Sequence, residues 1–184
     1  MKSEHLIHIL EEQVSVGFTG KINAQNKLSK QHLGFITILD GEIINCIYKG
    51  ASSLKAFYSL CIDEFESKDL SYVVEPELVD GSRNNIHYPY SVLKRKIADV
   101  VEGYRKSNKN RPPGELKIII KPEFITSGDG VSESEYSLLN TMSDFNRVDD
   151  IYKYSKLLDF EVTNSLVSLR KKNALKVIKT KELK

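Results

Sequence analysis

The sequence predicts an α+β protein, a small antiparallel sheet with packed helices followed by a small helical domain. Three observations carry this expectation. Asp40-Gly41 lies between two β-rich runs in GFITILDGEIINCIYKG, and Asp-Gly favours a two-residue type I′ hairpin turn because both central positions need positive φ. Apolar residues recur at helical spacing in several other stretches. The segment Ser107 to Gly114, SNKNRPPG, contains Pro-Pro-Gly and no large apolar side chain, which marks a candidate linker. The expected division is a first domain over 1–106, a linker over 107–114 and a second domain over 115–184.

In chain order, Leu6, Ile7, Leu10 and Val14 predict a helix over Glu4 to Gln13, with Ser3 as N-cap. Phe18, Gly20, Ile22 and Ala24 alternate with polar residues and predict a strand over 18–24, ending at a polar loop. The hairpin covers Leu33 to Lys49. Its two-residue loop sets Ile38 opposite Ile43 and Ile36 opposite Asn45. Ile36, Ile38, Ile43 and Ile47 then share one face, and Phe35, Leu39, Ile44, Cys46 and Tyr48 share the other. A hairpin that merely coats a core is polar outside, whereas this pattern is apolar on both faces. Each side is therefore expected to be buried, the second by another segment or another subunit. Phe35, Leu39, Ile44 and Tyr48 are the candidate contact residues, with ordinary internal core as the alternative.

Leu54, Phe57, Tyr58 and Cys61 form the next helical stripe, with Ser52 or Ser53 at its N-cap. Leu70, Tyr72 and Val74 alternate as a further strand. Ser91 opens a helix carrying Leu93, Ile97, Val100, Val101 and Tyr104. Beyond the linker, Leu116 to Ile120 reads as a strand stopped by Pro122, and a loop containing Gly128-Asp129-Gly130 follows. Ser132-Glu133-Ser134-Glu135 is a capping box ahead of Leu138, Leu139 and Met142. Asn146 and Asp159 are expected to cap two more helices, carrying Val148, Ile151 and Tyr152, then Val162, Leu166 and Leu169. Ala174 to Lys179 reads as a last strand.

With 40% hydrophobic and 28% charged residues, the 184-residue composition is that of a globular protein. The apolar runs are too short to span a bilayer, and MKSEHLIHILEEQ lacks the apolar core and cleavage site of a secretory signal, so a cytoplasmic location is expected. A net charge of +2 gives no global attraction for nucleic acid or anionic lipid. Cys46 and Cys61 have neither CxxC spacing nor a neighbouring histidine, and read as reduced core residues. His5 and His8 lack a third ligand nearby in sequence. Neither GxxxxGK[ST], GxGxxG nor GxSxG occurs. No metal, cofactor or enzymatic reaction is therefore expected.

The succession of a helix, a Thr19-Gly20 strand, the hairpin LDGEIINCIYKG and the helix ASSLKAFYSL resembles the PATAN family, the N-terminal domain of PatA-type bacterial response regulators. Thr19, Gly20, Asp40, Gly41, Ile43, Gly50, Ala56 and Leu60 stand at the family's typical positions, and the resemblance covers roughly residues 1–106. The run from Glu133 to Ile178 looks like a winged-helix-like domain. Within these 184 residues no room is expected for a receiver domain, and after Asn173 there is room for one strand of a wing. The resemblance implies a non-catalytic signalling adaptor that meets a protein partner in circuits governing motility, pili or polarity, with a homodimer compatible. The alternative is a DNA-binding regulator that uses the helix over Asp159 to Lys172 for recognition. Arg170, Lys171, Lys172 and Lys176 are its candidate contacts to nucleic acid, or to an acidic partner. Asp159 and Glu161 at the start of that helix oppose phosphate, and residues 115–184 hold 12 Lys+Arg against 11 Asp+Glu, a net +1.

Overall fold

The computed structural model describes residues 5–66, 69–107, 110–127 and 130–178. The protein is α+β and divides into two compact units, Met1–Glu102 and Gly103–Lys184. In unit 1, α1 (His5–Ser15) precedes β1 (Gly20–Asn26), β2 (His32–Leu39), β3 (Glu42–Tyr48), β4 (Ala51–Ser52), α2 (Ser53–Phe65) and β5 (Leu70–Pro76). A 3-10 turn (Gly81–Arg83) and α3 (Tyr90–Ser107) follow. The strands form one antiparallel sheet in the order β4-β3-β2-β1-β5.

The Asp40-Gly41 turn forms as the sequence expects, with φ of 49° and 80°. It is tied to Thr19: the Asp40 N–H donates to Thr19 Oγ1 at 2.9 Å, and the Thr19 hydroxyl donates to Asp40 Oδ1 at 3.2 Å. The Gly41 N–H donates to the Phe18 carbonyl at 2.9 Å. A side chain at position 41 would place its Cβ 2.8 Å from the Val14 carbonyl oxygen, so the end of α1 also requires glycine here.

The faces of the hairpin differ from the expectation. Ile38 does face Ile43, but the register then shifts, and Ile36 faces Cys46 where Asn45 was expected. Ile44 is the extra residue of a β-bulge, which turns the rest of β3 over by one position. Its carbonyl accepts the N–H groups of Asn85 and Ile86 at 2.8 and 3.0 Å, which fixes the bulge from outside the sheet. Cys46 and Tyr48 thereby join Ile36, Ile38 and Ile43 on the core side, and Ile47 turns outward to 38% exposure. The hairpin is apolar throughout on its core face and mixed on the other, where Phe35, Leu39 and Ile47 stand among Thr37, Glu42 and Asn45.

Helix α2 lies on the core side. The Tyr48 hydroxyl donates to Asp63 and the Tyr72 hydroxyl to Glu64, both at 2.8 Å. Helices α1 and α3 join it: the Leu6 N–H donates to Glu64 Oε1 at 3.4 Å, the Tyr90 hydroxyl donates to the Ile7 carbonyl at 3.4 Å, and Lys94 pairs with Glu11. Leu6, Leu10, Phe57, Leu60, Leu93 and Ile97 are each at most 2% exposed. Burying such side chains stabilises the unit by about 1.5–3 kcal/mol apiece.

Unit 2 contains β6 (Lys117–Ile120), α4 (Pro122–Ser127), α5 (Glu133–Asp144), α6 (Val148–Tyr154), α7 (Asp159–Lys171) and β7 (Leu175–Ile178). Strands β6 and β7 pair antiparallel, and Lys117 makes a single bridge to Arg147. The helix α4 was not expected: Pro122 both stops β6 and opens a helix, as proline does at a first helical position. Leu138, Val148, Ile151, Val162, Leu166 and Leu169 centre the core. The expected caps Asn146 and Asp159 are displaced by one residue, to Arg147 and Leu158. The Asn146 carbonyl accepts the Ile118 N–H at 2.7 Å instead, and Glu161 accepts the Leu158 N–H at 2.8 Å.

The division between the units falls within α3, at 102/103, a helical turn before the expected end at 106. Gly103 stands against the Phe160 ring, where a Cβ would come within 2.6 Å of Cε2. The candidate linker is partly packed. Ser107 closes α3 and is buried; residues 108–109 lie outside the described residues; and the Gly114 carbonyl accepts the Asp149 N–H at 3.0 Å. Arg111 pairs with Asp159 at 3.2 Å and lies 4.2 Å from the centroid of the Tyr152 ring.

Candidate interaction surface

Strand β1, GKINAQN, alternates buried and half-buried residues, so Lys21, Asn23 and Gln25 point away from the helices. Pairing sets Lys21 beside Glu75 and Thr37, Asn23 beside Val73 and Phe35, and Gln25 beside Ser71 and His32. The outer face of the sheet is thus assembled from polar positions of β1 and mixed positions of its neighbours. Asn23 is its centre: its Nδ2 donates to Glu75 Oε2 at 2.6 Å, and its Oδ1 lies 3.3 Å from His32 Nε2. The Lys21 ammonium lies 4.9 Å from the Phe35 ring centroid and pairs with Glu77 at 2.6 Å. Ile47 and Val73, 38% and 39% exposed, add apolar area.

One end of this face is covered. Thr37 and Asn45 are buried although they point outward, and the chain from the 3-10 turn onward packs against β3 at Asn45. Asn85 Nδ2 donates to Asn45 Oδ1 at 3.4 Å, and the Ser53 hydroxyl donates to the Asn85 carbonyl at 2.7 Å. The remainder, from Lys21 to Ile47 and Val73, stays open.

No family model, curated protein or solved structure matches this chain.

The four hairpin candidates do not share a face. Tyr48 is 1% exposed and points into the core, and Ile44 is 4% exposed at the bulge. Phe35 and Leu39 are half-buried on the outer side. Phe35 alone of the four joins the open patch, and Leu39 sits against Gly81. Sequence reading missed Lys21, Asn23, His32, Val73 and Glu75 as one surface. The alternation of β1 was a legible signal for Lys21 and Asn23, but the neighbours on either side come from the order of the strands.

The reactive groups inside unit 1 are quenched. Burial pushes the Cys46 and Cys61 thiols well above their ordinary range, so both stay protonated and weakly nucleophilic. Burial, reinforced by Asp63, raises the Tyr48 hydroxyl, and burial with the Glu64 charge and hydrogen bond raises Tyr72. Lys49 reaches Asp63 at 2.6 Å, which gives that buried carboxylate a counter-charge. Among the described residues no group of three or more His, Cys, Asp or Glu side chains is placed to hold a metal ion.

Three of the basic candidates lie at the end of α7 and the fourth, Lys176, in β7. Arg170 and Lys171 are exposed in its last turn. Lys172 is committed: its ammonium donates to Glu135 at 2.8 Å and to the Gly130 carbonyl at 2.9 Å. Burial favours the neutral acid at Glu135, but hydrogen bonds from Lys172, the Ser132 N–H and Ser168, with the Lys172 charge, outweigh it and hold the carboxyl at about 2. Lys176 lines a concavity of about 690 Å³ with Lys121, Lys172, Asn173, Ile119 and Phe124. Lys121, which sequence reading left out of the cluster, donates to Asn173 Oδ1 at 2.5 Å. Asn173 holds φ of 59° as the left-handed residue closing α7, with the Ala174 N–H on the Leu169 carbonyl at 2.9 Å.

Proposed function

We propose that this chain is a non-catalytic, cytoplasmic adaptor of bacterial signalling that binds a protein partner through the open outer face of its five-stranded sheet. The observation that carries the proposal is that face: Phe35, Ile47 and Val73 around the Asn23, His32 and Glu75 network, on a sheet whose other side is filled by helices. A solvent-facing sheet usually presents polar side chains, so clustered aliphatic and aromatic groups beside fixed hydrogen-bonding groups favour a contact surface. The resemblance of residues 1–106 to PATAN domains supports this reading and would imply circuits for motility, pili or polarity. Of the residues that carry the resemblance, Thr19 is hydrogen-bonded to Asp40 at the hairpin turn and Gly20 pairs with Ile38.

Affinity capture with the Ile47→Asp variant tests the proposal. Ile47 points outward, so the variant is expected to fold and to lose the partner that the native chain retains. Full retention of every partner by folded Ile47→Asp and Phe35→Asp chains overturns the assignment of this face.

A DNA-binding reading of unit 2 as a winged-helix-like domain has one observation in its favour. Arg170, Lys171, Lys121 and Lys176 have no ion-pair partner among the described residues. It predicts duplex binding that weakens steeply with salt and is lost in Arg170→Ala/Lys171→Ala. Absence of a mobility shift at low salt eliminates it.

A further inference from the structure

We propose that two copies of this chain pair antiparallel along β5, edge to edge, about a two-fold axis at Val73. The two edges of the sheet are unlike. At one, β4 is two residues long, covers only Ile47 and Tyr48 of β3 and runs directly into α2, while the Asn85 and Ile86 N–H groups occupy the Ile44 carbonyl farther along β3. At the other, β5 is seven residues long and pairs with β1 without a register shift. Proteins blunt exposed edges with lysines, bulges or short strands. The strand LSYVVEP carries no lysine and no bulge, and its one charge, Glu75, and its one proline, Pro76, stand together at its C-terminal end, which leaves Leu70 to Val74 without such a guard.

The strand is also self-complementary, which selects a second copy as its occupant. Pairing about the central Val73 sets Val73 against the partner's Val73, Tyr72 against the partner's Val74 and Ser71 against the partner's Glu75. The first two are apolar and aromatic–aliphatic pairs of the kind that stabilise antiparallel ladders, and no like charges meet. Ser71, whose Oγ is buried without a hydrogen-bond partner, then stands opposite a carboxylate. Leu78, just beyond the strand, is 101% exposed and lies toward the end where the partner's Leu70 arrives. A contact built mainly on one strand pair is small, so the dimer is concentration-dependent.

Light scattering and sedimentation over a concentration series test the pairing. The native chain is expected to rise from 20.9 kDa toward twice that mass. Val73→Lys and Val73→Glu, each folded by circular dichroism, are expected to stay monomeric because the axis sets each new charge against its own copy. Their equimolar mixture is expected to recover the dimer. Ile47→Lys, on the open face but three strands removed from β5, is expected to dimerise normally, which separates this pairing from the partner-binding role of that face. A native chain that remains at 20.9 kDa throughout, a dimer that survives both Val73 variants, or a mixture that stays monomeric overturns the proposal.

Discussion

Glu135 shows how much one residue does once its surroundings are known. As a capping-box residue it accepts the Ser132 N–H at 2.6 Å, and as a buried anion it is matched by Lys172. Its carboxyl sits at about 2 in the folded chain, below the roughly 4.3 of an unfolded glutamate, so the group stabilises unit 2 fully above the unfolded value. That contribution is lost as pH falls from about 4 through 2. Glu135→Gln is expected to remove on the order of 2 kcal/mol at neutral pH and to flatten the acid limb of the stability profile, measured by urea unfolding at successive pH values. Gly34 is equally constrained: a Cβ there would lie 2.0 Å from the Ile47 carbonyl oxygen. Gly34→Ala is expected to cost about 2–4 kcal/mol by denaturant unfolding, since only a backbone shift relieves the contact.

At the scale of elements, the bulge in β3 decides which hairpin residues are surface. A period of two in the sequence records alternation but not an inserted residue, and Ile44 is indistinguishable in kind from Ile43 beside it. The signal that moves Cys46 and Tyr48 inward is the pair of hydrogen bonds from Asn85 and Ile86, about forty residues away and in a stretch that reads only as turn-rich. The consequence is measurable. Cys46→Asp, which buries an unpaired charge, is expected to unfold unit 1, whereas Ile47→Asp is expected to change its thermal midpoint little. The capping box at Ser132 was legible because all its partners lie within four residues. The caps at Asn146 and Asp159 were misplaced because Asn146 is drawn into contact with β6.

At the scale of the whole molecule, length left one large domain or two small ones open, and the local reading set the division at 106, where the structure divides at 102/103. The stretch Ser107 to Gly114 reads as a linker by its prolines and polarity, yet Arg111 and Gly114 are fastened to unit 2, and so is the last turn of α3. A fragment of residues 103–184 is therefore expected to unfold cooperatively, and a fragment of 115–184 is expected to be less stable by roughly 2 kcal/mol or more, as the Arg111 contacts and the Gly103–Phe160 packing are lost. Denaturant curves of the two fragments, followed by far-ultraviolet circular dichroism, make the comparison.

The sequence by itself determined the α+β class, the type I′ turn at Asp40-Gly41, the capping box and most of the element order, because each rests on interactions between residues close along the chain. Tertiary structure alone decided the strand order that leaves β5 at an edge, the bulge that sorts the hairpin faces, the pairing of Lys172 with Glu135 and the gathering of Lys21, Asn23, Phe35 and Glu75 on one surface. Those features depend on partners tens of residues apart, and local patterning of apolar and polar residues carries no record of which distant segment completes each contact.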